Sequence, residues 1–234
     1  MASPTTSARP ELELLDLSVE HAFCEPMKEI HAGEDVSFFL TTKAYKDLVT
    51  FLLQLNASMF PRRSNGKISN QGLVQSWELG SRAVVFSRTV KQLGILLTRL
   101  NDMIEEAPPN SGPRRFGNIS FRKWYGLLED RIDKLLEEHL PTRVFKQGSK
   151  LEKGKRARDE LRSYLLASFG SAQRLDYGTG HEVALLAFIG GIWKLGGFVI
   201  ADEGVEERGI VLGVIHPSVL HSARSLLLVG AMSN

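Results

Sequence analysis

A polar segment with two glycines, Arg174-Leu175-Asp176-Tyr177-Gly178-Thr179-Gly180-His181-Glu182, leads directly into a long apolar run. Gly178 and Gly180 allow backbone conformations that other residues resist, and the free amides at a helix start bind anions such as phosphate. Arg174 could add a bidentate ion pair to the same anion. This segment is therefore a candidate phosphate-binding loop at a helix N-terminus.

The same segment has a purely structural interpretation. Gly178 and Gly180 then form a tight turn, Thr179 caps the following helix, and Glu182 is its capping-box partner three residues later. Asp176 would pair with a nearby cation. Short glycine motifs often occur by chance, so the spacing alone leaves both interpretations open.

Better-known site motifs do not match this segment. No Lys-Ser or Lys-Thr pair follows the glycines as it does in a P-loop, and Val183 stands where a dinucleotide-binding fingerprint has glycine. The second histidine of a zinc-protease helix would be at position 185, which is Leu185. The sequence therefore argues against those kinases, dehydrogenases and zinc hydrolases, and we predict no metal-ligating residues.

A second informative segment, Pro113 to Trp124, combines cationic, glycine and aromatic residues. Gly117 is expected to turn the chain and Asn118 to cap a helix whose aromatic side chains enter the core. Arg115 and Arg122 could reach across to an acidic or phosphate group.

Helices are expected to position both segments. Apolar residues recur at the three-four spacing of an amphipathic helix in three stretches, which run from Tyr45 to Leu53, from Leu93 to Ile104 and from Phe121 to Leu136. Thr41 or Thr42 can cap the first of these helices. The alternation of strands and helices that builds a parallel sheet is missing, so the sequence predicts an all-α fold with a single helical domain.

Composition sets broad limits on the function. The chain has 234 residues, 43% of them hydrophobic, and a net charge of only +2, which is too balanced to indicate a nucleic-acid or membrane-surface protein. Cys24 is the single cysteine and cannot form an intrachain disulfide, and no basic stretch followed by an apolar run marks a secretory signal. We expect a location in the cytoplasm and also in the nucleus.

Two stretches test the membrane and nucleic-acid possibilities directly. The run from Val183 to Ala201 is apolar apart from Lys194 and four glycines, and a lysine inside a membrane span costs about 2.5–3.5 kcal/mol. We therefore expect a buried core helix that ends near Gly196. The basic stretch from Arg143 to Arg162 has no interleaved aromatic residues for base stacking, which favours a solvated loop and helix start. We expect neither membrane nor nucleic acid as a partner.

The two polar segments together resemble the phosphotyrosyl phosphatase activator family, the activators of serine/threonine protein phosphatase 2A. The matching motifs are Pro-Arg-Arg-Phe-Gly-Asn-Ile-Ser-Phe-Arg-Lys-Trp from position 113 and Arg-Leu-Asp-Tyr-Gly-Thr-Gly-His-Glu from position 174. Lys28-Glu29-Ile30-His31 and the stretch from Glu34 to Leu40 also match the opening of the family. The resemblance runs from about Phe23 to about Gly197.

This resemblance implies an all-α fold, peptidyl-prolyl cis-trans isomerase activity, and activation of the catalytic subunit of protein phosphatase 2A in the presence of ATP and magnesium. The implied partners are that catalytic subunit, or a related phosphatase, and a prolyl peptide substrate. The implied nucleotide-binding residues are Arg174, Thr179 and Gly180, and the implied catalytic residues are Asp176, Tyr177 and His181. The resemblance also places six residues in a groove for the partner or peptide: Arg115, Phe116, Gly117, Asn118, Gly178 and Glu182.

The chain also departs from the family. Family members continue with a Gly-x-Trp-Gly-Leu-Asp-Asp run and a Gly-Ser ending, which supply the other wall of the site and which this chain lacks. We expect a C-terminally truncated or misspliced member, with a disordered N-terminus (1–19), an incomplete helical domain (20–215) and a tail that does not resemble the family (216–234). The alternative function is a non-catalytic phosphatase-binding protein that has lost nucleotide binding and isomerase activity through truncation.

Overall fold

A computed structural model describes residues 10–63, 74–81, 83–109, 119–145, 155–175, 177–199 and 202–218. Helices dominate these ranges, which confirms the predicted all-α fold. The helices are α1 (Gly33–Phe39), α2 (Lys43–Ser58), α3 (Arg88–Asp102), α4 (Ser120–His139), α5 (Thr142–Phe145), α6 (Ala157–Ala167), α7 (Thr179–Lys194) and α8 (Val205–Ile210). A 3₁₀ turn (Met103–Glu106) follows α3, and a π-helical turn (Val211–Ile215) follows α8. Strands β1 (Arg62–Arg63) and β2 (Val74–Gln75) form one short antiparallel pair.

The three predicted amphipathic helices are α2, α3 and α4. The Thr42 hydroxyl caps α2 by accepting a hydrogen bond from the Tyr45 amide at 3.2 Å, as the sequence predicted. Ser87 caps α3 in the same way. Helix α4 begins at Ser120 with Ile119 in the N-cap position, and the predicted cap, Asn118, lies outside the described residues.

The centre of the core lies between α3 and α4, which present their leucine-rich faces to each other. Trp124 on α4 is 1% exposed and its indole N–H donates to the Leu100 carbonyl on α3 at 3.2 Å. Phe169, just after α6, packs edge-on against this indole, with the ring centroids 5.4 Å apart. The buried indole thus has both apolar neighbours and a hydrogen-bond acceptor, which fixes α4 in the core.

Helix α7 packs against α6 and α2 and passes from the surface into the core. Its C-terminal half is buried and includes Ile189 at 0% exposure, whereas Val183 near its start is 41% exposed. It ends at Lys194, and Gly196 has a positive φ of 64°, which glycine adopts without strain. The predicted end near Gly196 is confirmed, and the predicted burial holds for the second half. None of the described helices has the length and apolar character needed to cross a bilayer.

An extended N-terminal strap, residues 10–15, ties α2 to α7. The Leu12 amide donates to the Gln54 side-chain oxygen at 2.8 Å, and the Trp193 indole donates to the Leu12 carbonyl at 3.0 Å. The Leu15 amide donates to the Lys194 carbonyl at 2.7 Å, and Leu12 itself is 3% exposed. The segment 1–19, expected to be disordered, therefore includes residues that pack on two helices.

The basic stretch around α5 and α6 forms contacts within the protein. Arg143 donates to the Phe198 carbonyl at 2.8 Å, and Lys155 forms an ion pair with Glu25 at 3.0 Å. Arg162 lies 3.4 Å from a carboxylate of α4. These three cations hold neighbouring segments together. Their contacts support a structural role for this stretch, in place of a surface that binds nucleic-acid phosphates.

Candidate functional site

The polar loop between α6 and α7 carries most of the predicted site residues. The structure describes Arg174, Tyr177, Gly178, Thr179, Gly180, His181 and Glu182 at this place. Five predicted site residues lie outside the described residues: Asp176, Arg115, Phe116, Gly117 and Asn118. The predicted catalytic and partner-groove sets are therefore described only in part.

The N-terminus of α7 carries no side-chain cap. Gly178 is the N-cap, in an extended conformation with φ −165° and ψ −175°, and Thr179 is the first helical residue. The prediction that Thr179 caps the helix is wrong. The predicted capping box with Glu182 is also absent, because a glycine cap has no side chain to complete it.

Both glycines at this helix start border open space. A Cβ placed on Gly178 or on Gly180 would meet no atom within 4 Å. An uncapped first turn presents backbone N–H groups at the positive end of the helix dipole, the arrangement that binds phosphate in many proteins. The described residues therefore fit a nucleotide phosphate or another anion at the start of α7.

Tyr177 and His181 form a stacked pair beside this helix start. Their ring centroids are 5.3 Å apart with an interplanar angle of 26°. The His181 Nδ1 atom lies 2.5 Å from the Ala167 carbonyl oxygen, which can only accept a hydrogen bond. This contact places a proton on Nδ1, which donates to the carbonyl. His181 is thus held by the end of α6.

The loop before Tyr177 is fixed from α4. Arg122 donates from Nε to the Ala172 carbonyl at 3.0 Å and from Nη2 to the Gln173 carbonyl at 3.2 Å. The sequence left open that Arg122 reaches an acidic or phosphate group, and in the structure its guanidinium binds two backbone carbonyls. Leu175, just beyond, has a positive φ of 55°, which is unusual for a residue with a side chain.

A cavity of about 1000 Å³ opens at this loop and follows α7 toward its C-terminus. Arg174, Tyr177, Gly178, Gly180 and His181 all line it, whereas Thr179 and Glu182 are not among the described lining residues. The other walls are largely apolar and come from the N-terminal segment, α2 and α6. They include Phe23, Met27, Phe51, Leu161 and Tyr164.

These apolar walls were not predicted from the sequence. Phe23 and Met27 lie in a segment without helical periodicity, and Phe51 was counted only as part of an amphipathic helix. The approach of residues 21–28 to α7 depends on contacts between distant parts of the chain, for which local spacing gives no signal. The match of the opening motif to the family was the one available indication that this segment contributes to the site.

A carboxylate on α6 anchors the N-terminal wall of the cavity. Glu160 accepts the Cys24 amide at 3.2 Å on one oxygen and the Tyr164 hydroxyl at 3.2 Å on the other. Burial, together with the Glu160 charge, raises the pKa of the Tyr164 hydroxyl, so Tyr164 stays a neutral donor. The same two causes raise the pKa of the Cys24 thiol, which disfavours a reactive thiolate.

An ion pair closes the far end of the cavity. Lys194 at the end of α7 contacts Asp47 on α2, and Lys43 lies 3.0 Å from the same carboxylate. Burial alone would raise the pKa of Asp47, but the hydrogen bonds from the two lysines outweigh burial and lower it. Asp47 is therefore ionised at neutral pH, and its negative charge offsets the positive charge of Lys194 at this end of the cavity.

A second cavity of about 830 Å³ lies on the opposite side of the strap. It is lined by acidic residues of the α8 start, including Glu206 and Glu207, and by Trp193. Burial raises the pKa of Glu206, and its hydrogen bond from the Ser87 hydroxyl at 2.7 Å only partly offsets this effect. None of the predicted site residues that the structure describes is among the described lining residues of this second cavity.

The described residues offer no ready magnesium site. Within the described ranges, no three His, Cys, Asp or Glu side chains come together in a way that could hold a metal ion. The start of α7 therefore fits an anionic group, and none of the described residues is assigned as a magnesium ligand.

Comparison with known proteins gives consistent matches. The family model described as "phosphotyrosyl phosphate activator (PTPA) protein" matches residues 26–228. This match continues beyond Gly197, where the resemblance was predicted to end, and includes residues 216–228 of the tail that was predicted not to resemble the family. Among solved structures, the crystal structure of the PP2A phosphatase activator Ypa1 is similar with a TM-score of 0.67 and 27% identity, covering 93% of this chain and 61% of that one.

Curated relatives point the same way. The chain is 54% identical over 206 residues to serine/threonine-protein phosphatase 2A activator 1 of Aspergillus fumigatus, covering 88% of this chain and 42% of the relative. The protein of the same name from Emericella nidulans is 52% identical, with coverage of 88% and 46%. The Neurospora crassa protein is 33% identical over 321 aligned positions, with coverage of 94% and 52%. The chain thus spans about half the length of these relatives.

Proposed function

The chain belongs to the phosphotyrosyl phosphate activator family, and we propose that it activates the catalytic subunit of protein phosphatase 2A. The observation that carries this proposal is the loop at the start of α7, where the family motif, the uncapped helix start and the cavity coincide. The names of the relatives and of the similar crystal structure support it, because each describes a phosphatase 2A activator.

The chemistry proposed for this site is peptidyl-prolyl cis-trans isomerisation. The barrier is rotation about a partly double C–N bond, about 18–20 kcal/mol, and the reaction needs no nucleophile. Apolar walls such as Phe51 and Leu161 would strip water from the prolyl amide, which favours the less polar twisted state. The Tyr177 hydroxyl, oriented by its stack on His181, would donate a hydrogen bond to the prolyl nitrogen and localise its electron pair.

Nucleotide binding is proposed for the same end of the cavity. The first-turn amides at Thr179 and Gly180 would hold the phosphates, with the Arg174 guanidinium beside them. A bound nucleotide would supply a negative charge that complements this positive helix end. The residues of this chain would orient the anion, and the Tyr177 and His181 rings would close the adjacent groove.

Two assays test the proposal. The first measures phosphatase 2A activity against increasing concentrations of the chain, with and without ATP and magnesium, and the second measures cis-trans interchange of a prolyl peptide. We expect activation and isomerisation in the wild type and a loss of both in Tyr177→Phe. Thr179→Ala should lower the ATP-dependent part of the activation, because it removes a side chain beside the proposed phosphate site. Thr98→Ala on α3 is its matched control, since Thr98 is also exposed. A wild-type rate equal to that of the heat-inactivated chain would overturn the isomerase proposal.

The second candidate function is a phosphatase-binding protein without catalysis. This candidate needs only a docking surface, and the half-exposed apolar start of α7, with Val183 at 41% exposure, fits one. It predicts measurable binding to the phosphatase catalytic subunit, no isomerase rate, and no effect of Thr179→Ala. A location in the cytoplasm and also in the nucleus stays a prediction for either function.

A further inference from the structure

The segment 171–175, before the stacked Tyr177, is held in an unusual conformation. Leu175 adopts a left-handed backbone conformation, with φ 55°, that residues with side chains rarely adopt. Such a conformation persists only where surrounding contacts hold it in place. Two of these contacts are local: the Ser171 hydroxyl accepts the Arg174 amide at 3.1 Å, and the Ser171 carbonyl accepts the Leu175 amide at 2.7 Å.

Arg122, which lies fifty positions before Ala172, makes a long-range polar contact with this segment. Its Nε and Nη2 atoms donate to the consecutive carbonyls of Ala172 and Gln173, at 3.0 and 3.2 Å. The planar guanidinium presents donors in a fixed geometry, so one side chain can fix the direction of two neighbouring peptide units. A lysine at this position would offer a point charge without that geometry.

The base of Arg122 is itself fixed. Its neighbours on α4, Phe121 and Trp124, are buried at 0% and 1% exposure, so the backbone of this turn belongs to the core. The guanidinium therefore adds a polar link from α4 to a loop that is also held by the local Ser171 hydrogen bonds and by the packing of Ala172 and Leu175 against the core. Arg174 follows directly after the two bound carbonyls and Tyr177 comes three positions later, and both line the cavity.

We propose that Arg122 is a positioning residue for the candidate site, and that it holds segment 171–175 so that Arg174 and Tyr177 face the start of α7. This inference rests on the proposed function, since positioning matters only if the loop engages the phosphatase or its ligand. Arg122 acts through the loop and does not itself touch a substrate.

The experiment compares the full-length wild type with Arg122→Ala, Arg122→Lys and the control Arg131→Ala. Arg131 lies on the same helix and also forms a two-point contact, at 2.6 and 2.8 Å, but to the Glu106 carboxylate, away from the loop. One readout is the concentration of chain that gives half-maximal phosphatase activation, measured separately from the maximal activation. The other is the rate at which trypsin cuts after Arg174, followed by mass spectrometry under native conditions.

We expect Arg122→Ala to raise the half-activating concentration about five-fold or more, with the maximal activation retained. Arg122→Lys should be intermediate, and Arg131→Ala should match the wild type. Trypsin should cut after Arg174 faster in Arg122→Ala, because the loop opens more often, and at the wild-type rate in Arg131→Ala.

Equal shifts in Arg122→Ala and Arg131→Ala would overturn the proposal, because they would report general weakening of α4. Wild-type behaviour of Arg122→Ala in both readouts would also overturn it. If the wild type activates no phosphatase, the proposed function fails, and the cleavage rate after Arg174 still decides whether Arg122 fixes the loop.

Discussion

The two ends of α7 both carry apolar residues and a glycine but lie in different surroundings. At the start, Val183 is 41% exposed and Gly180 borders open space. Toward the end, Ile189 is fully buried, and a Cβ on Gly191 would fall 2.7 Å from a methyl carbon of Leu161. The first half of the helix is exposed at the mouth of the cavity, whereas the second half packs into the core and meets the cavity with one face only, through Gly190, Gly191 and Lys194.

This difference separates binding from stability along one helix. A helix that is apolar on all sides is ordinarily buried along its length, so a half-exposed apolar turn indicates a surface that meets a ligand or partner. Substitutions at the start should therefore alter activation more than folding, and substitutions near the end should do the reverse.

The largest effect is expected for Ile189→Ala at the buried end. Removing this side chain should lower the free energy of unfolding by about 2–5 kcal/mol, because it leaves a cavity in packed surroundings. Val183→Ala at the exposed end should cost less than about 1 kcal/mol. Urea unfolding of both variants checks this difference, and equal losses would show that the two ends are packed alike.

The ion pair at the end of α7 should give the next largest effect. Asp47→Asn should cost about 1–3 kcal/mol at pH 7, because it weakens the contacts with Lys194 and Lys43. The pKa of Asp47 is lowered in the folded state, so this stabilisation is present above about pH 4 and is lost as the pH falls through the folded-state value. Unfolding curves from pH 7 to pH 3 should therefore converge for the wild type and the variant, and a constant gap would contradict the assignment.

A matched glycine pair sharpens the comparison. Gly191→Ala should lower stability by about 1 kcal/mol, because the clash with Leu161 outweighs the better helix propensity of alanine. Gly180→Ala should raise stability by up to about 1 kcal/mol, since its Cβ meets no atom within 4 Å and alanine favours the helix more than glycine does. Thermal melts distinguish the two variants. A larger loss for Gly180→Ala would mean that the helix start is more closely packed than described.

A small effect on stability is also expected for His181→Ala at the start of α7. Loss of its contact with the Ala167 carbonyl should cost below about 1 kcal/mol, because the bond is exposed. Phosphatase activation should nevertheless fall about ten-fold or more, since Tyr177 loses the ring on which it stacks. His31→Ala, another exposed histidine outside the cavity lining, is the control, and equal activation by both variants would argue against a role for His181.

The sequence predicted those parts of the fold that depend on local pattern. Helices α2 and α4 were predicted because their apolar residues recur every three or four positions. The cap of α7 was assigned wrongly to Thr179, because the start of this helix is set by the extended Gly178 and by the loop before it. Its half-exposed first turns could not be predicted either, since an apolar run has the same pattern in a core and beside a cavity.

The candidate site was predicted from one side only. Arg174, Tyr177 and His181 were identified from the motif and do line the cavity. Phe23 was not identified as part of the site, because it reaches the cavity through a backbone pairing with Lys155, more than a hundred positions away. Arg122 was identified by its charge, but its role in holding carbonyls follows only from the position of α4 relative to the loop.

The N-terminal strap has a consequence for synthesis of the protein on the ribosome. Leu12 pairs with Trp193, a residue made 181 positions later. At about 5–20 residues per second, the strap waits roughly 10–35 s for its partner helix to be translated. During that interval Leu12 and Leu15 are exposed on the nascent chain, so chaperone binding and the choice of an N-terminal tag should both influence the yield of folded protein.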